Sequence, residues 1–193
     1  MDTLEAIKDR RSIRQQKSDA IDDETLEKIL EAARWAPSWG NSQTWRFVVV
    51  RDEKIKAQLA DTRPRRPTPP GETAPAALPP SAITQAPLII VVCAETGKAG
   101  IRPDGTATTD KGDTWYMYDS GLASQNLVLA AHALGVGTVI LGAFDAQKVA
   151  EILEVPEGFV VVTMIPTGFL AEPGRPTTRK ELSEIVCYDK FGA

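Results

Sequence analysis

Residues 134–145 read Leu-Gly-Val-Gly-Thr-Val-Ile-Leu-Gly-Ala-Phe-Asp, and the spacing of their glycines narrows the choice of fold. The stretch is similar to the G-x-G-x-x-G loop that binds dinucleotides, but Ile140 stands where that pattern needs its third glycine. The glycines also follow a predicted helix, whereas the dinucleotide loop follows a strand. The sequence therefore disfavours a Rossmann domain, and the lack of a G-x-x-x-x-G-K-[ST] motif disfavours a P-loop NTPase.

The elements around this stretch alternate between helix and strand. Residues 119–134 are rich in Ala and Leu and predict a buried helix, and residues 138–141 predict a strand. Asp145 is expected to cap a further helix, and residues 159–165 predict another strand.

The N-terminal half shows the same alternation. Thr3 is expected to cap a short helix with Leu4 and Ile7 on one face, and Asp22 or Asp23 to cap a second helix that ends before a proline. The apolar face of that second helix has helical spacing and consists of Leu26, Ile29, Leu30 and Ala33.

Two more strands and one helix complete the pattern. Residues 45–50 predict a strand, Ile55 and Leu59 a short helix, and residues 87–94 a strand that is apolar on both faces and therefore central in its sheet. The alternation indicates a layered α/β or α+β domain.

Length and composition indicate one soluble domain over residues 1–193. Seven of the fourteen prolines lie between positions 64 and 80, which predicts a loop at about residues 62–82. The loop is either a surface excursion or a lid over a ligand site.

Charge and rare residues exclude several classes of function. The formal net charge of -4 disfavours a nucleic-acid binder, and no apolar window suits a secretory signal or a membrane span. Two cysteines, both expected to be buried thiols, indicate a reducing, cytoplasmic compartment. The single histidine, His132, disfavours a His-based metal site or catalytic triad, and we expect it to be structural.

Two further segments contain side chains that could bind a ligand. Arg10-Arg11-Ser12-Ile13-Arg14 follows the first predicted helix, where guanidinium groups could bind a phosphate; the alternative is a solvated basic turn. Residues 36–47 form a polar loop whose Asn and Gln side chains suit the alternating N–H and C=O edge of a flavin, although such a loop can also be only a turn.

Together these segments resemble the nitroreductase family of FMN enzymes over about residues 4–186. Six blocks occur in the family's order: R-R-S-[IV]-R at 10–14, P-S-x-x-N-x-Q-x-W-x-F at 37–47, A-P-x-x-I-x-V at 86–92, Gln125-Asn126-Leu127, L-G-x-G-T with G-x-F-D at 134–145, and Arg179-Lys180-x-Leu182-x-x-Ile185.

The resemblance implies an α+β fold, a nitroreductase-like three-layer sandwich with a mixed central sheet covered by helices on both faces. It implies an intertwined homodimer, with the helix near Gln125 at the dimer interface, terminal segments that reach across to the partner, and FMN bound between the subunits.

The resemblance also assigns binding residues, all of them to FMN and none to a metal. At the phosphate and ribityl end it implies Arg10, Arg11, Ser12 and Arg14, with Arg179 or Lys180 from the C-terminal segment. Around the ring it implies Pro37, Ser38 and Trp39, with Asn41 and Gln43 from the partner subunit. Along the isoalloxazine it implies Ile140, Leu141, Gly142 and Ala143, with a backbone N–H near N5.

The function implied is electron transfer from NADH or NADPH to a small organic acceptor, such as a nitroaromatic or a quinone, by a ping-pong mechanism without a catalytic side chain. The alternatives are other chemistry of the family, namely reductive dehalogenation, substrate dehydrogenation or oxygen-dependent flavin breakdown, and a non-catalytic flavin-binding protein. The chain departs from the family pattern at Thr44, usually Pro, at Trp39, usually small, and in the Pro-rich loop, which lacks the Asn and Lys of some members.

Overall fold

The structure, a computed structural model, describes residues 1–64 and 82–192. Its elements in chain order are α1 (Thr3–Asp9), α2 (Asp23–Arg34), a 3-10 turn (Trp39–Asn41), β1 (Trp45–Val50), α3 (Glu53–Asp61), α4 (Ala82–Gln85), β2 (Leu88–Glu95), α5 (Trp115–Ala133), β3 (Val136–Thr138), α6 (Ala146–Ile152), β4 (Phe159–Phe169) and α7 (Leu182–Ile185). Most of the predicted Pro-rich loop, from 65 to 81, lies outside the described residues.

The sheet has the strand order β1-β2-β4-β3, and β2 is central as its apolar sequence predicts. Its three strand pairings are antiparallel, in contrast to the mixed sheet that the resemblance implies. Within the described residues, parallel pairing enters only through the isolated bridge between Ser12 and Thr138. Strand β2 is apolar on both faces because helices cover both of them, although its neighbouring strands are antiparallel.

Alternate residues of β2 face two different cores. Ile90 and Val92 pack with α2 and α5, where Ile29 and Leu127 are fully buried. The intervening residues of β2 are Ile89, Val91 and Cys93. They lie on the opposite face and pack in a core with Leu59 of α3 and Val149 of α6. Successive side chains of a strand point to opposite faces, so one strand anchors both helical layers.

The predicted helices and strands all occur, but several boundaries differ. The N-cap of α1 is Asp2 and not Thr3, because the Asp2 carboxylate accepts the Leu4 N–H while Glu5 accepts the N–H of Asp2, a reciprocal capping box. The apolar side chains Leu4 and Ile7 are exposed rather than packed.

Two other differences concern α5 and β3. Helix α5 begins at Trp115, four residues before the predicted start. Strand β3 covers Val136–Thr138 instead of 138–141. Beyond Thr138 the regular pairing with β4 is interrupted: the Val139 N–H donates to the Pro166 carbonyl at 3.3 Å, and Leu141 forms an isolated bridge with Met164. Strand β4 correspondingly extends to Phe169.

Candidate functional site

The arginine-rich segment 10–14 lies beside β3. The Ile13 N–H donates to the Thr138 carbonyl at 2.9 Å, and the Ile13 side chain is buried. Gly137 allows this close approach, since a Cβ at that position would lie 2.9 Å from the Ile13 side chain. Because alternate residues of an extended segment face opposite sides, Ser12 and Arg14 are directed outwards.

Gln16 joins the same segment to the sheet. Its Nε2 donates to the Gly137 carbonyl at 2.9 Å and to the Pro166 carbonyl at 3.0 Å, and the side chain is buried. The structure therefore brings together two of the segments singled out in the sequence, 10–14 and 134–145. Gln16 itself was not predicted; its sequence signal would have been a polar residue at an inward position of an extended segment.

A pocket of about 560 Å³ opens beside this junction, and we call it the arginine pocket. One wall consists of residues 10–15 and the other of residues 172–177 with Arg179. It contains five arginines, namely Arg10, Arg11, Arg14, Arg175 and Arg179, and Glu172 is the carboxylate among its described lining residues. Burial, followed by the charges of Arg11 and Arg179, lowers the pKa of Arg10. Such a concentration of positive charge favours a bound anion.

The C-terminal wall of the arginine pocket was predicted only in part. Of the two residues that the resemblance implies there, Arg179 lines the pocket, whereas Lys180 is not among the described lining residues. Arg175 and Thr177 were missed. The sequence signal for these residues was the Pro- and Gly-containing run that follows β4. This run passes so close to Arg11 that a Cβ on Gly174 would overlap the Arg11 side chain.

A second pocket of about 430 Å³ shares Arg14 and Gln15 with the arginine pocket, and its other lining residues are Arg63, Ala82, Gln85 and Leu141. Leu141 is fixed by backbone hydrogen bonds to Met164. The Nε of Arg63 is buried and has no hydrogen-bond partner among the described residues. This orphaned donor is a polar group that a ligand could satisfy. Arg63 was not predicted as a site residue.

The other predicted residues of the 140–143 stretch border this region. Ile140, Gly142 and Ala143 are exposed. A Cβ on Gly142 would meet no atom within 4 Å among the described residues, so the backbone there is open to a ligand. The stretch thus presents main-chain groups on the surface beside Leu141.

The polar turn of residues 38–43 has an unusual backbone. Gly40, Asn41 and Gln43 all have positive φ angles, of 50°, 57° and 46°. The Gln43 N–H donates to Ser38 Oγ at 3.0 Å, and the Trp39 N–H donates to the carboxylate of Asp119 on α5. Trp39 also stacks on Trp115, with ring centroids 4.6 Å apart.

This turn and the arginine pocket lie toward opposite ends of α5. Asp119 holds the turn near the start of the helix. His132 lies near its end, where burial, and then the positive charge of Arg10, lower the pKa of the imidazole. At about 1.5 Å per residue, the stretch from Asp119 to His132 spans about 20 Å. Accordingly, the described lining of the two pockets does not include Pro37, Ser38, Trp39, Asn41 or Gln43.

The described parts of the chain contain no group of three or more His, Cys, Asp or Glu side chains that could hold a metal ion. None of their helices has the length and apolar character needed to cross a bilayer.

Residues 7–169, most of the chain, match the sequence model of the nitroreductase family. The chain belongs to the nitroreductase family. A family relative from Methanothermobacter thermautotrophicus, whose name combines NADH dehydrogenase and NAD(P)H nitroreductase, is 31% identical over 93% of this chain and 82% of its own length. The 5,6-dimethylbenzimidazole synthase of Rhodospirillum rubrum is 34% identical over 84% of this chain and 79% of its own length.

The similarity extends to solved structures of the family. A protein of Desulfovibrio desulfuricans described as a nitroreductase and crystallised with FMN has a TM-score of 0.73 to this chain. The two are 30% identical, over 99% of this chain and 98% of the other.

Proposed function

We propose that this chain is an FMN-dependent oxidoreductase that transfers electrons from NADH or NADPH to a small organic acceptor. The observation that carries the proposal is the arginine pocket, in which like charges surround a partly desolvated Arg10. Family membership and the FMN-bound relative support the same cofactor.

The arginine pocket fits the phosphate of FMN. A phosphate monoester carries nearly two negative charges at neutral pH and accepts several hydrogen bonds. Arg10 and Arg179 come from opposite ends of the chain and are close enough for each charge to be felt by the other. An anion between them would remove this repulsion, and the Ser12 hydroxyl could add a further hydrogen bond.

The second pocket fits the ring end of the same cofactor. It meets the arginine pocket at Arg14 and Gln15, so one elongated ligand can extend through both. Leu141 offers an apolar surface, and the orphaned Nε of Arg63 offers a donor to a polar ring edge. Positive charge from Arg14 and Arg63 beside the ring would raise the reduction potential of a bound flavin.

A second copy of the chain would supply the rest of the site. The turn with Asn41 and Gln43 lies about 20 Å along α5 from the arginine end, and within the described part of the chain it lines neither pocket. In a two-fold dimer with antiparallel α5 helices, the turn of one copy would approach the pockets of the other. We therefore place FMN at a homodimer interface.

The surface of the chain suits such a dimer. Helix α5 is apolar around most of its circumference, and Met117 and Tyr118 are exposed although they lie on the longest helix. The C-terminal segment is exposed and carries apolar side chains that single chains normally bury, namely Leu182, Ile185, Val186, Tyr188 and Phe191. These residues would reach across the partner.

When bound, FMN supplies the two-electron chemistry, so the protein need only bind, orient and shield the reactants. Nitroaromatics and quinones are the acceptors we propose, with donor and acceptor occupying one face in turn in a ping-pong mechanism. The free thiols of Cys93 and Cys187 suit a reducing, cytoplasmic compartment.

The test begins with the absorbance spectrum of the purified protein. We expect a yellow protein that releases FMN on denaturation, loses its colour with NADH or NADPH under argon, and regains it with a quinone or nitroarene. A colourless protein that takes up no added FMN would contradict the proposal. A flavin that is bound but not reduced by either nicotinamide would indicate a storage or sensor protein instead.

A second candidate is oxygen-dependent breakdown of the flavin, because the product named for the synthase relative contains the same dimethyl-substituted benzene ring as the isoalloxazine of FMN. The same protein should be reduced in air and its flavin analysed by chromatography. Recovery of intact FMN supports the electron-transfer function, whereas fragments of the ring system support the second candidate.

A further inference from the structure

The carboxylate of Asp119 is buried although it has no ionic partner among the described residues. The residue is 1% exposed, and none of the salt bridges among the described residues includes it. Its hydrogen-bond donors are the Trp39 N–H, 3.0 Å from Oδ1 and 3.1 Å from Oδ2, and the Ser42 hydroxyl, 3.4 Å from Oδ2. Burial raises the pKa of this carboxyl, while both donors oppose that shift. A buried acid without a cation is costly, and both of its donors belong to one turn.

That turn adopts a conformation which its sequence disfavours. Asn41 and Gln43 have φ angles of 57° and 46°, in the left-handed region that non-glycine residues rarely enter. Asn tolerates this region better than Gln does. Strained backbone persists only where the surrounding structure over-determines it, and such strain is concentrated at functional sites.

The turn is fixed at its two flanks. Ser38 Oγ accepts the Gln43 N–H at 3.0 Å and closes the turn from within. Asp119 ties the same turn to α5, a long and well-packed helix. Trp39 adds a stacking contact with Trp115 of the same helix. Asp119 supplies the charged hydrogen bonds in this set, which are about twice as strong as neutral ones.

We propose that Asp119 is a positioning residue, whose carboxylate holds the strained turn so that Asn41 and Gln43 meet the flavin ring. This inference rests on the proposed function, since it assumes that the turn contacts FMN. It goes beyond that function because Asp119, which is 1% exposed and lines neither pocket within the described part of the chain, would act on the flavin only through Trp39 and Ser42.

The test compares Asp119→Asn with Asp113→Asn, each in the FMN-loaded protein. Asp113 is a matched control because its carboxylate also accepts one backbone N–H through both oxygens, that of Gly97 at 3.0 Å, but in an exposed loop outside the pockets. We expect Asp119→Asn to weaken FMN and riboflavin binding equally, by about tenfold, because the turn acts on the ring and not on the phosphate. The flavin absorbance and reduction potential should also shift, and Asp113→Asn should change none of these.

Ser42→Ala provides a milder variant if Asp119→Asn does not fold. It removes one donor to the carboxylate, so flavin affinity should fall in the same direction by a smaller factor. A thermal-unfolding cycle that combines Asp119→Asn with Gln43→Gly should show coupling, since glycine relieves the positive φ that Asp119 helps to maintain.

The outcomes separate this inference from the proposed function. If Asp119→Asn and Ser42→Ala leave flavin affinity, spectrum and potential unchanged while the wild-type protein binds and turns over FMN, the positioning role is wrong. If wild type binds no FMN, the proposed function fails. Loss of stability without any change in the bound flavin would show that Asp119 is merely structural and would also overturn the inference.

Discussion

At the scale of single residues, Arg10 best illustrates how the site uses charge. Burial and two neighbouring guanidinium groups lower its pKa, so the unliganded pocket is electrostatically unfavourable. A hydrogen bond to a charged group contributes about 1.5 to 3 kcal/mol. We therefore expect Arg10→Ala or Arg179→Ala to weaken FMN binding by roughly ten- to more than a hundredfold. Riboflavin, which lacks the phosphate, should be affected much less in the same titration.

The control for this prediction is Arg51→Ala. Arg51 is exposed and paired with Asp23, away from the arginine pocket, so its loss should leave both affinities unchanged. The phosphate assignment would be refuted by equal losses of FMN and riboflavin affinity in the two pocket variants, or by no loss at all.

Cys93 gives a second prediction at the residue scale. It is 2% exposed in the middle of β2, and burial raises the pKa of its thiol to about 11. In a Cys187→Ser variant, we expect no alkylation of Cys93 at pH 8 until the protein unfolds, because the reactive thiolate is neither accessible nor formed. Cys187 is itself exposed, contrary to the expectation that both thiols are buried.

The pH dependence of stability follows from the same shift. The native state keeps the Cys93 proton to a higher pH than the unfolded chain does. The contribution of this thiol to the free energy of unfolding is therefore complete below about pH 9 and is lost as the pH rises through about 11. Alkaline unfolding of Cys93→Ala should lack this component. Rapid labelling of the native Cys187→Ser protein at pH 8 would show that Cys93 is not buried.

Among the secondary-structure elements, β3 packs closely against the arginine-rich segment. A Cβ on Gly137 would lie 2.9 Å from three atoms of Ile13, a contact that neither backbone can relieve without moving. We expect Gly137→Ala to lower the free energy of unfolding by about 1–3 kcal/mol through overpacking. FMN affinity should fall with it, because Ile13 lies between the pocket residues Ser12 and Arg14.

A double-mutant cycle tests the cause of that loss. Ile13→Ala removes two of the three clashing atoms, so the two substitutions together should cost less than the sum of the separate effects. Urea denaturation of the four proteins measures this coupling. Strict additivity would mean that the effect of Gly137→Ala does not come from Ile13.

At the scale of the whole molecule, the separation of the turn from the pockets predicts that FMN binding needs two chains. Met117 on α5 is 50% exposed, and Met117→Glu would place an unpaired charge in the proposed interface. We expect this variant to be monomeric by analytical ultracentrifugation, folded by circular dichroism, and much weaker in FMN binding than wild type. Gln147→Glu adds the same charge on the exposed surface of α6 and should change neither property.

A monomeric Met117→Glu protein that still binds FMN as tightly as wild type would refute the shared site. Such a result would mean that the arginine pocket and the second pocket are sufficient by themselves. The turn of residues 38–43 would then need another role.

Local sequence signals were sufficient to predict the order and type of the main elements. Helical spacing from Leu26 to Ala33 predicted α2, the doubly apolar run at 87–94 predicted the central strand, and Asp145 was recognised as a cap. Local propensity and periodicity determine such features, because each depends on residues within a few positions. The six ordered blocks likewise indicated the family, which the match over residues 7–169 confirms.

Contacts between residues that are distant in sequence became apparent only in the folded chain. The close packing of Ile13 on Gly137 and the use of Asp119 to hold a turn some eighty positions earlier depend on contacts that no local pattern records. Arg63 and Arg175 were overlooked because arginine is a common residue that usually lies at the surface, and only their place in a pocket distinguishes these two. The strand directions and the end of β3 were also settled by pairing partners, since sheet register is a property of two strands and not of one.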